Sequence, residues 1–94
     1  MKIGQAVKIV IPPIDNMSKK GSVKKGALAI VVDGYEEFPY LYKKLAELVK
    51  NHIDEFIWIK WTKDDPRWCG RIDGAYLSCR FAPARIINCK NVLN

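Results

Sequence analysis

Hydrophobic and polar positions alternate almost from the start of the chain. Ile3, Val7, Ile9 and Ile11 fall on one side, with Lys2 and Lys8 on the other, and this spacing predicts a strand with one buried face. Pro12-Pro13 ends it, because proline cannot donate to a sheet ladder. Residues Ile14 to Gly26 are mostly polar, with two glycines and four lysines, and predict a long loop. Ala27 to Val32 is apolar at every position, as expected of a central strand covered on both faces.

From Glu36 the period changes to three or four. Phe38, Leu41, Leu45, Leu48 and Val49 make an apolar stripe opposite Lys43, Lys44, Glu47 and Lys50, which predicts an amphipathic helix of about four turns. Glu36, Glu37 and Pro39 at its start, and Lys50 and His52 at its end, suit the helix dipole. Phe56-Ile-Trp-Ile-Lys-Trp61 is rich in β-branched and aromatic residues and predicts a further strand. Trp68 to Ile72, then Asp73-Gly74, then Ala75 to Phe81 predicts a β-hairpin, since Asp-Gly suits a type I′ turn. Ala82 to Ile87 predicts a turn into a last edge strand, and residues 88–94 a polar tail.

Five or six short strands and one helix in 94 residues imply a single domain, 1–94, of α+β class. The expected architecture is a small, strongly bent antiparallel sheet or barrel with the amphipathic helix inserted. The alternative is a two-layer α/β sandwich in which the helix is a β-α-β crossover. The opening Gly4-Gln-Ala-Val-Lys-Ile9 and the closing Tyr76-Leu-Ser-Cys-Arg-Phe and Ala82-Pro-Ala-Arg-Ile86 resemble an SH3-like barrel. The resemblance implies that a tight turn joins the last two strands. It rests on element order over about two-thirds of the chain, and the inserted helix departs from the plain barrel.

Composition narrows the function classes. A chain 49% hydrophobic and 11% aromatic folds rather than staying disordered. No h-region opens the chain, and the longest apolar run is too short to span a bilayer, so a soluble cytoplasmic protein without a membrane partner is expected. Cys69, Cys79 and Cys89 are odd in number and lack Cys-x-x-Cys spacing, and His52 stands alone, so neither a metal nor a cofactor is expected. The serines lack the context of a nucleophile elbow, and no catalytic set emerges.

The net charge of +6 is uneven: residues 1–34 and 67–94 each carry +4, and residues 35–66 carry −2. That balance favours a polyanionic partner. With Asp73-Gly74 as the turn, Arg67, Cys69, Arg71, Tyr76, Ser78 and Arg80 share the hairpin's outer face. Trp68, Gly70, Ile72, Ala75, Leu77, Cys79 and Phe81 share its core face. Arginine forks match phosphates and a tyrosine stacks on bases, so this outer face is the candidate site. Trp58 and Lys60 join it if their strand shows the same side, and Lys19, Lys20, Lys24 and Lys25 form a loop arm over a nucleic-acid backbone.

Three functions compete. The first is a non-catalytic module binding DNA or RNA. The second is a protein-interaction module gripping an acidic surface, in the style of phage-encoded inhibitors of host or defence proteins. The third is a small toxin-like RNase. Edge strands leave room for a homodimer.

Overall fold

The computed structural model describes residues 1–13 and 23–85. Five strands, β1 (Ala6–Ile9), β2 (Leu28–Val31), β3 (Phe56–Trp61), β4 (Gly74–Leu77) and β5 (Phe81–Pro83), form one antiparallel sheet in the order β4-β3-β2-β1-β5. Helices α1 (Gly34–Glu37) and α2 (Pro39–Val49) lie in the connection between β2 and β3. Since β2 and β3 are antiparallel neighbours, the helices do not form a β-α-β crossover; they lie as a layer on one face of an antiparallel sheet. The sequence reading of the last strand beyond Arg85, and of the 88–94 tail, lies outside the described residues.

The sheet must bend because its edge strands are consecutive in the chain. Four inter-strand spacings would hold β4 and β5 about 19 Å apart in a flat sheet. Only Ser78–Arg80, one short 3₁₀ turn, joins them, and four extended Cα steps reach about 14 Å at most. The rings confirm the curl. Trp61 of β3 lies 5.4 Å from Tyr76 of β4 and 5.9 Å from Phe81 of β5, and Tyr76 and Phe81 are themselves 6.2 Å apart. Among the described residues no ladder joins β4 to β5, so the sheet is strongly bent but not closed into a barrel.

The concave face is the core. Val7, Ile9, Ala29 and Ile59 are fully shielded there beside the three rings, with Val23 and Ala27 closing one end. The alternation read in the first strand holds for Val7 and Ile9, whereas Ile3 and Ile11 lie beyond the ladder and are exposed. In β2, Ala29 and Val31 face the core while Leu28 and Ile30 are half-buried on the convex side.

On that convex side the helices cover Trp58. Asp33 caps α1 by accepting from the Tyr35 and Glu36 N–H groups at 3.0 and 3.4 Å. Phe38, with φ −136°, interrupts the helix, and Pro39 starts α2 at the position where its missing N–H costs nothing. Phe38 stacks on Trp58 at 5.8 Å and Tyr42 lies on it at 5.5 Å. Gly34 sits so close to the indole that a Cβ there would overlap it. Helix α2 contains no fully buried residue, and its contact with the convex face includes Tyr42 on Trp58.

The expected hairpin does not form. Pro66–Trp68 is a 3₁₀ turn capped by Asp65, and Cys69 and Gly70 have φ +54° and +74°, which no extended strand allows. The Asp73 carboxylate accepts the Trp61 N–H at 2.8 Å, standing in for a ladder bond. Gly74 then begins β4 against β3, with Gly74 opposite Ile59 and Tyr76 opposite Ile57. Asp73-Gly74 leads into a strand instead of reversing the chain.

Candidate functional site

Losing the hairpin redistributes its face. Tyr76, expected outside, is buried in the core, and its hydroxyl donates to the Ile72 carbonyl while accepting from Arg71 Nε at 2.9 Å. Ile72 and Cys79, expected inside, are exposed, and of the expected core set only Phe81 is buried. Trp58 is buried beneath the helices, and Lys60 is ion-paired with Glu37. That carboxylate raises the Lys60 pKa through its hydrogen bond and its charge. Neither buried ring offers a stacking surface. Arg67 and Arg80 lie in two separate 3₁₀ turns and are not cross-strand partners.

The remaining cations gather elsewhere, at the stem of the excursion between β1 and β2. The stem is a short antiparallel pairing in which Ile9 N–H donates to Ala27 O and Gly26 N–H donates to Ile9 O. Two other parts of the chain close on it. Lys24 N–H donates to Arg67 O at 2.8 Å, and the Arg67 guanidinium lies over Gly26, whose φ of +93° and lack of a Cβ make the approach feasible. From the opposite side, Val10 and Ile11 N–H groups donate to Arg80 O, and Arg80 Nη1 donates to Ile11 O at 3.1 Å. Lys24, Lys25, Arg67 and Arg80 therefore converge on one end of the sheet, with Lys24 and Lys25 exposed. Lys19 and Lys20 lie outside the described residues.

One acid sits within this cluster. Asp65 grips Arg67 through a fork, with Nε at 2.9 Å from one carboxylate oxygen and Nη2 at 3.0 Å from the other. It also accepts the Arg67 and Leu28 N–H groups at 3.0 and 3.2 Å. Hydrogen bonds from Arg67 hold its pKa below the usual carboxylate range against the opposing effect of burial, and Arg67 is raised in turn. Arg67 is thus ion-paired and held in place, while the Arg80 guanidinium donates to a carbonyl, with no carboxylate on it among the described residues.

Sequence reasoning missed a second feature at the other edge of the sheet. Leu41 and Leu45 of α2 face the segment Arg71 to Tyr76 across a pocket of about 250 Å³. Leu41 and Ile72, which line it, leave 44% and 65% of their surfaces exposed. The apolar stripe of α2 was legible, but not that one shoulder of it overhangs the sheet.

Among the described residues no helix is long and apolar enough to cross a membrane, and no three His, Cys, Asp or Glu side chains are grouped to hold a metal ion. No family model, curated protein or solved structure matches this chain.

Proposed function

We propose that this chain is a non-catalytic nucleic-acid-binding domain that contacts the phosphate backbone with its stem cations. The observation that carries this reading is the convergence of two basic segments that lie far apart in sequence. Lys24 and Lys25 come from the first, Arg67 and Arg80 from the last, and the stem contacts bring them together. The acidic middle of the chain, residues 35–66, supplies α2, β3 and most of α1, and among the described residues Asp65 is the carboxylate hydrogen-bonded at the stem.

Such a surface recognises phosphates by charge, and binding of this kind is steeply salt-dependent and indifferent to sequence. The aromatic half of the sheet-face site is withdrawn, because Trp58 and Tyr76 are structural. We read the fold as SH3-like with helices inserted between its second and third strands. The strand order and the 3₁₀ turn between the last two strands support that reading.

The test is fluorescence anisotropy with 20-nucleotide single-stranded DNA, the matching duplex and the matching RNA at low salt. The wild-type chain is expected to bind all three, and the Lys24→Glu/Lys25→Glu variant to bind at least about tenfold more weakly. A Lys43→Glu/Lys44→Glu variant on α2 should retain binding. Equal losses in the two variants, or no binding by the wild type, would remove the proposal.

A further inference from the structure

Arg67 differs from the other stem cations in that its guanidinium is aimed before any ligand arrives. Asp65 holds one edge of it: both carboxylate oxygens accept from Nε, at 2.9 and 3.2 Å, and one accepts from Nη2 at 3.0 Å. The carboxylate is itself fixed, because it also accepts the Arg67 N–H and the Leu28 N–H, the latter 37 residues away in the chain. The pair is polarised outward. The Asp65 side chain keeps 9% of its surface exposed and the Arg67 side chain 49%, so the positive end is the one that faces solvent.

The other edge of the guanidinium, Nη1 with the far side of Nη2, has no acceptor among the described residues. Nη1 lies over Gly26, 2.7 Å from where a Cβ would stand, so glycine leaves the group its room. Gly26 follows Lys24 and Lys25 directly. Arg67 therefore places a third cation at the position in that run where the chain has no side chain of its own. An Nη1–Nη2 edge matches two oxygens of one phosphate, whereas an ammonium meets them as a point charge.

We propose that Arg67 grips one phosphodiester group of the bound nucleic acid through this open edge, and that Asp65 is the positioning residue that aims it. The assignment rests on the nucleic-acid reading and separates two roles within it. Lys24 and Lys25 draw the polyanion in by charge, and Arg67 fixes where a phosphate sits. Immobilising a long side chain on binding carries an entropic cost, and the Asp65 fork removes much of it in the free chain. Asp65 thus assists the capture of an anion although its own charge opposes it.

The test is duplex-DNA affinity measured against salt. Arg67→Lys keeps the charge and loses the fork, so it should bind about fivefold more weakly with an unchanged salt slope. Arg67→Ala should flatten the slope by about 0.9. Asp65→Asn should weaken binding about threefold even though it makes the chain more basic. Asp64→Asn, the same charge change on the exposed neighbour, should bind at least as well as the wild type. In the isotope-labelled wild-type chain, duplex should shift the Arg67 Nη signals more than the Nε signal, which stays on Asp65. A pair that serves only the fold would lower the melting temperature without moving the slope or those signals. The two Arg67 variants carry the test if Asp65→Asn melts below the assay temperature. An unchanged slope in Arg67→Ala, wild-type affinity in Arg67→Lys, tighter binding by Asp65→Asn, or an equal loss in Asp64→Asn would each overturn the assignment and leave the lysine contacts standing. No binding by the wild type at low salt would remove it together with the nucleic-acid reading.

Discussion

Asp65 performs three tasks with one carboxylate: it caps the Pro66–Trp68 turn, accepts the first N–H of β2 and fixes Arg67. Folding lowers its pKa, so its ionised form is favoured in the native state. The stabilisation is therefore present at neutral pH and is lost as pH falls below the unfolded value of about 3.9 and through the lowered native one. Asp65→Asn should cost about 1 kcal/mol at pH 7, and the gap between variant and wild type should narrow by pH 2.5. Thermal melts at the two pH values check this, and an equal gap at both would contradict it. Gly34→Ala should cost about 1–3 kcal/mol through overlap with Trp58, seen as a lower denaturant midpoint with unchanged slope. The bond of Asp65 to Leu28 and the packing of Gly34 on Trp58 both join residues far apart in the chain. The sequence shows a glycine after an aspartate at the end of a strand, but not the indole that needs the space.

Elements with a simple period were readable, and those set by competition were not. The strand Phe56–Trp61 and the helix formed where their patterns placed them, although β3 buries Trp58 on the face opposite Ile57, Ile59 and Trp61, and the helix stripe leaves Leu41 and Leu48 exposed. The hairpin failed because Asp-Gly encodes a turn only when both flanking segments are extended. Here Asp65-Pro66 already encodes a different turn, a capping aspartate followed by proline in the first position. That signal was present in the sequence and outranks the Asp-Gly pair. Once the chain turns at 66–70, Tyr76 shifts to the concave side, and the arginine face ceases to exist. At this scale the decisive contact is α2 on Trp58. Trp58→Ala should cost about 3–5 kcal/mol and should reduce the far-UV helical signal more than a core truncation elsewhere does. Val31→Ala, on the concave side, provides that comparison. An unchanged helical signal in folded Trp58→Ala would show that α2 has another anchor.

For the whole molecule, the uneven charge read from the sequence survives the loss of its first structural interpretation. The fold places the stem cations at one end of the sheet, and none of them lines the pocket at the β4 edge. The uneven charge balance was legible in the sequence. Which cations act together was not, since it depends on Arg67 and Arg80 reaching back to residues 9–26 from opposite sides. The claim that phosphate contact at this stem drives binding is tested most directly by the slope of log K against log salt on duplex DNA. Each phosphate contact contributes about −0.9 to that slope. The wild-type chain should show a slope steeper than about −2.5, from at least three stem contacts, and Lys24→Ala/Lys25→Ala should flatten it by about two contacts' worth. A slope near zero, or one that the double substitution leaves unchanged, would contradict the account.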